Sequence, residues 1–138
     1  MDHIPEDYCG PGLIDIQVNG YAGLDFNGDP GEWTIGSWHD AADRMRSRGV
    51  VTALPTFITD DPGKILARAQ KYAELVEEDE ELAHFFRRLH IEGPFVSPED
   101  GPRGAHPQKW CTTPRDNPDL IERVHEASGK RVSILSLA

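Results

Sequence analysis

The stretch "WHDAADRMRSRGVVTALPTFIT", residues 38–59, changes its period half-way along. Trp38, Ala41, Ala42 and Met45 fall at i, i+3, i+4 and i+7, one face of a helix, and Gly49 stands where a C-terminal cap would end it. From Val50 to Thr59 the residues are branched, aromatic and small, the composition of a buried strand. A helix that delivers the chain directly into a buried strand is the repeating unit of parallel β/α folds, and the neighbouring segments carry the same alternation.

Upstream, "LIDIQVNG" (13–20) follows Gly10, Pro11 and Gly12 and reads as a first strand. Downstream, "FRRLHIEG" (86–93) and "RVSILSLA" (131–138) read as strands three and four. Ile65, Ala69, Tyr72, Ala73 and Val76 form a second helical stripe, with Asp61 as N-cap and Pro62 at the first helical position. Leu120, Ile121, Val124 and Ala127 form a third, opened by Asn117 and Pro118 and closed by Gly129. The acidic run "EEDEEL" (77–82) reads as a solvated helix end or turn. The expected order is β-α-β-α-β-loop-α-β, a parallel sheet with right-handed helical crossovers. Such a sheet belongs to an open doubly wound fold or to a (β/α)8 barrel. "NGYAGLDFNG" after the first strand lacks the GxGxxG that a dinucleotide-binding sheet favours there.

The chain carries 24 acidic and 14 basic residues, a net charge of −10, which repels a phosphate backbone or an anionic membrane surface. Neither nucleic acid nor a membrane is an expected partner. No apolar run is long enough to span a bilayer and the start "MDHIPEDYCG" is acidic, so the expected compartment is the cytoplasm. Cys9 and Cys111 stand apart, without a CxxC, and are read as free thiols.

Reacting groups of parallel β/α folds gather at the C-terminal strand ends. The polar residues there are Gln17 and Asn19, Thr56 and Thr59, and His90 and Glu92. A carboxylate ending a buried strand needs a cation or a donor beside it. For Glu92 that is either a salt bridge, for which Arg103 is a candidate, or a metal ion. His90 by itself is more commonly a buried, hydrogen-bonded histidine than a ligand. The connection from Phe95 to Asn117 is long and carries Arg103, His106, Lys109 and Arg115. Loops of that length in compact domains tend to be functional.

"PGLIDIQVNGYAGLDFN" (11–27), "TALPTFIT" (52–59) and above all "HIEGPFVSPEDGPRGAHP" (90–107) resemble the N-acetylglucosamine-6-phosphate deacetylases of the amidohydrolase superfamily. The resemblance implies a metal-dependent TIM-type barrel that hydrolyses the acetamide of N-acetylglucosamine 6-phosphate to glucosamine 6-phosphate and acetate. It makes Glu92 a ligand of a divalent metal ion, with Zn²⁺ the first choice, and His106 the group that holds and polarises the substrate carbonyl. His90 is assigned to supporting Glu92, Gln17 and Asn19 to the site wall, and Arg103 and Lys109 to a loop facing the phosphate. Many amidohydrolases carry HxH where this chain has Gln17-Val18-Asn19; amides bind transition metals far less well than imidazole, so one metal rather than two is expected.

A full barrel needs roughly 250 residues. Residues 13–138 are therefore expected to be its first four strands and three helices, and residues 1–12 the end of a lead-in from a small β domain. By resemblance the remaining metal ligands and the catalytic aspartate lie on later strands, outside these 138 residues. The chain alone is expected to be inactive and part of a longer, homo-oligomeric enzyme, a dimer. The alternatives are a truncated, non-catalytic paralogue that binds sugar phosphates or pairs with another subunit, and a different amidohydrolase.

Overall fold

The computed structural model describes residues 10–138; Cys9 and residues 1–9 of the expected lead-in lie outside them. Strands β1 (Leu13–Val18), β4 (Val50–Ile58), β5 (Leu89–Glu92) and β6 (Val132–Ser136) form one sheet in the order β1-β4-β5-β6, every pairing parallel. The helices between them are α1 (Ile35–Arg46), α2 (Pro62–Glu78), α3 (Glu80–Phe85) and α4 (Leu120–Ala127). The α/β class, the four parallel strands and the three expected helices are all present.

Two elements were not anticipated. A short antiparallel hairpin, β2 (Gly20–Tyr21) and β3 (Leu24–Asp25), stands within the loop after β1. The acidic run 77–82 holds the solvated end of α2, Glu77 and Glu78, as expected, but it then opens α3. Asp79 leaves helical geometry at φ −129° and its side chain accepts from the Leu82 N–H, capping a new helix that buries Leu82 and Phe85. Helix α4 opens at Leu120 after Asp119, while Asn117 accepts from the Leu120 N–H through its carbonyl at 3.4 Å.

The core lies between the helices and one face of the sheet. Ala53 and Phe57 of β4 and Leu89 and Ile91 of β5 point into it, as the two-residue period of a strand requires. Trp38 is fully buried at its centre, edge-on to Phe26 at 5.0 Å and Phe86 at 5.1 Å. The opposite phase of the same strands carries Thr56, His90 and Glu92. Along β1, Leu13, Ile14 and Ile16 are exposed. No helix among the described residues is long and apolar enough to cross a membrane.

Candidate functional site

Glu92 ends β5, flanked in register by Ile58 of β4 and Ser136 of β6. Its Oε2 accepts from Gln17 Nε2 at 2.9 Å, and its Oε1 lies 3.8 Å from His106 Nε2. The other ring nitrogen of His106, Nδ1, is 2.8 Å from Thr59 Oγ1. Side chains from the ends of β1, β4 and β5 and from the long loop thus meet at one point. Asn19, Ile58, Glu92, Ala105 and His106 line a pocket of about 170 Å³ there.

Gly93 explains part of the local sequence. Its φ of +80° is one that residues with a Cβ seldom adopt, and an added Cβ would stand 2.1 Å from Thr59 Oγ1. The Thr59 hydroxyl occupies the room that the missing side chain leaves. Behind it, Asn27 acts as a strand partner for the end of β4 beyond the last β1 pair, Val18 with Pro55. Its Nδ2 donates to the Thr56 carbonyl and its Oδ1 accepts from the Ile58 N–H, each at 2.9 Å. Arg68 of α2 donates to the Gly28 carbonyl at 3.1 Å, to the Asn27 carbonyl, and to Asp60 at 2.8 Å, fixing that loop.

No family model matches the chain. It is 33% identical over 135 residues to the N-acetylglucosamine-6-phosphate deacetylase of Bacillus subtilis, an alignment that takes in 93% of this chain and 31% of that protein. The N-acetylgalactosamine-6-phosphate deacetylase of a Shewanella species is 38% identical over 96 residues, 70% of this chain and 22% of its own length. This chain is a relative of the N-acetylglucosamine-6-phosphate deacetylases. It spans about a third of the length of the curated deacetylases it matches. The crystal structure of the Mycobacterium smegmatis deacetylase superposes with a TM-score of 0.74 and 26% identity, covering 93% of this chain and 30% of that one.

Within this deacetylase-like chain the expected site residues divide. Glu92, His106, Gln17 and Asn19 come together at the pocket. His90 lies beneath them, 3% exposed, with Nδ1 3.0 Å from the Ile16 carbonyl and Nε2 2.6 Å from Ser136 Oγ. A carbonyl only accepts, so Nδ1 carries the proton and Nε2 accepts from the serine. Both ring nitrogens are committed, and His90 ties β1 and β6 to β5 rather than hydrogen-bonding the Glu92 carboxylate.

Arg103 is not the partner of Glu92 either. Its Nη2 pairs with Asp100 and its Nη1 donates to the His106 carbonyl at 3.2 Å, so it braces the loop. Lys109 sits on a 3-10 turn, Gln108–Trp110, with its ammonium 5.1 Å from the Trp110 ring centroid. Cys111 is a free thiol. Thr59 stood among the polar strand-end residues without an assigned role, and Asn27 was not singled out. The visible signals were a hydroxyl at the C-terminal end of a strand and an asparagine inside a segment already matched to the family.

For a metal ion the described residues fit one ligand and not a whole site. Glu92 Oε1 accepts no hydrogen bond from Gln17, which leaves it free to coordinate. No group of three or more His, Cys, Asp or Glu side chains among the described residues stands close enough to hold an ion. A catalytic zinc site usually has three protein ligands.

Proposed function

We propose that residues 13–138 form the first half of a (β/α)8 barrel in a deacetylase of N-acetylhexosamine 6-phosphates. In this reading Glu92 contributes one ligand of a single divalent metal and His106 meets the acetamide carbonyl. The observation that carries it is the convergence of Glu92 and His106, from a strand end and a loop, on one pocket in a chain that aligns with deacetylases over 93% of its length. The relatives act on both N-acetylglucosamine and N-acetylgalactosamine 6-phosphates, which supports an amino-sugar 6-phosphate as the substrate class.

The reaction adds the oxygen of water to the acetyl carbonyl carbon and breaks the C–N bond, releasing acetate and the free amine. The divalent ion expected of the family, Zn²⁺ or another transition metal, supplies the acidity that readies water for attack near neutral pH. This chain's residues orient the carbonyl. His106 Nε2 faces the pocket, where a proton on it meets the oxygen as charge develops, a contribution on the order of 10²-fold in rate. Gln17 holds Glu92 by one oxygen and leaves the other toward the pocket. For the phosphate, Lys109 keeps its ammonium at the surface, whereas Arg103 is engaged within its own loop.

The second reading is a non-catalytic module that binds amino-sugar phosphates, and the two part on whether the longer chain supplies further metal ligands beside Glu92. Metal analysis of the longest natural chain containing this sequence tests the first. Glu92→Gln is expected to lose the bound ion, and Gln17→His with Asn19→His to raise stoichiometry above one. Full retention in Glu92→Gln sinks the assignment.

A further inference from the structure

We propose that the cleft at the N-terminal ends of β5 and β6, walled by Arg87, Arg88, Arg131 and His84, is a binding site for a phosphate group, at the opposite end of the sheet from Glu92 and independent of the deacetylase reading. Parallel register brings the arginines together. Leu89 pairs with Val132, and the Leu89 N–H donates to the Arg131 carbonyl at 2.9 Å. The residues that lead into the two strands, Arg87 and Arg88 on one and Arg131 on the other, therefore enter the sheet side by side. Arg131 is held there: its N–H donates to the buried Ser128 hydroxyl at 3.2 Å, and its Nη1 reaches the Arg87 carbonyl at 3.5 Å. Arg87 and Arg88 are exposed, and with Ala83, His84, Gly129 and Arg131 they line a cleft of about 240 Å³.

The cleft lacks counter-charge. Arg44, Arg46, Arg68 and Arg103 each pair with a carboxylate on this acidic chain, whereas among the described residues none stands within ion-pair distance of Arg87, Arg88 or Arg131. The C-terminal ends of α3 and α4 come just before these arginines and carry roughly half a negative charge each. Glu77 is a nearby acid: a Cβ on Gly129 would stand 3.4 Å from its Oε1 and 3.9 Å from Arg131 Nε. Two half charges and one carboxylate against three guanidinia leave an excess of about one positive charge, before His84 is counted. Like charges gathered on neighbouring strands are destabilising until an anion joins them. Guanidinium forks suit the tetrahedral, doubly charged phosphate, whose oxygens can serve more than one fork, better than a carboxylate with its two oxygens. The volume falls below the ~300–1,000 Å³ of drug-sized ligand pockets and fits that group on a small carrier.

The test is titration of the ¹⁵N-arginine-labelled 138-residue chain with inorganic phosphate, read at the guanidinium Nε–H signals, beside sodium chloride at equal ionic strength. Saturable shifts are expected at Arg87, Arg88 and Arg131 and not at Arg44 or Arg46, whose guanidinia already face carboxylates. Arg87→Gln and Arg88→Gln, both at exposed positions, identify their signals and should each weaken the apparent phosphate affinity by about tenfold, the worth of one hydrogen bond to a charged group. Glycerol 3-phosphate that binds as tightly as inorganic phosphate marks a site for a monoester, and binding of inorganic phosphate alone marks one for the free ion. Shifts that never saturate and are matched by chloride overturn the inference, as does a saturable affinity that both variants leave unchanged.

Discussion

Gly93→Ala should cost the chain far more stability than a glycine-to-alanine change on a loop usually does, and most of the excess should vanish when Thr59 is also trimmed. Alanine at φ +80° costs about 1–2 kcal/mol relative to glycine. The new Cβ would sit 2.1 Å from Thr59 Oγ1 and 3.6 Å from Val96 Cγ1, and forcing a packed neighbour aside costs a further ~1–3 kcal/mol. The single substitution is thus expected to destabilise by about 2–5 kcal/mol. In a Thr59→Ala background the hydroxyl is gone and the remaining Cβ stands at 3.4 Å, ordinary contact. There Gly93→Ala should cost only the backbone share, about 1–2 kcal/mol. Urea unfolding of the four chains, followed by the fluorescence of buried Trp33 and Trp38, gives the coupling energy directly. A coupling below about 0.5 kcal/mol, the ordinary scatter of additive sites, refutes the claim that Thr59 fills the space beside Gly93.

Thr34→Ala should lower stability by ~1 kcal/mol in the same assay, because the Thr34 side chain accepts from the Ser37 N–H in a capping box at the start of α1; no change would contradict that cap. Burial opposes ionisation of Asp60, but the Asp61 N–H and the Arg68 guanidinium outweigh it and hold the carboxyl below its ordinary value. Its contribution is therefore complete above the ordinary carboxylate range and is lost as pH falls through the lowered folded value, so Asp60→Asn should flatten the acid limb of the stability curve. An acid limb identical to wild type would remove that assignment. The exposed Ile14 and Ile16 on edge strand β1 should drive self-association of the 138-residue chain, and Ile14→Lys with Ile16→Lys should shift sedimentation toward monomer. A wild-type chain that is strictly monomeric at high concentration contradicts this.

The parallel sheet was legible because each strand is bounded by glycine or proline and each long helix carries an uninterrupted stripe. Helix α3 escaped because its two buried residues, Leu82 and Phe85, follow five acidic residues whose charge dominates the pattern, although Asp79 is a good N-cap. Glu92 and His106 were legible through the family motif. Their mutual placement depends on a long loop folding back, which no periodicity encodes. His90 is the buried, hydrogen-bonded histidine its residue type suggested, but its partners were not legible: the Ile16 carbonyl and the Ser136 hydroxyl, rather than the Glu92 carboxylate, lie 74 and 46 residues away on strands whose register decides the contact. Arg103 was offered to Glu92, yet Asp100 three residues before it takes the guanidinium at no cost in loop closure. Asn27 was hidden by its type, since an asparagine in a turn-rich segment commonly serves its own backbone, and here its side chain completes the end of β4.

Acetate release from N-acetylglucosamine 6-phosphate by the longest natural chain containing these 138 residues, in wild type beside Glu92→Gln, bears most directly on the assigned function. Measurable release is expected from the wild type, with a fall of about 10²-fold or more in the variant. A wild type that releases no acetate with its metal bound, or a Glu92→Gln chain as fast as wild type, would contradict it.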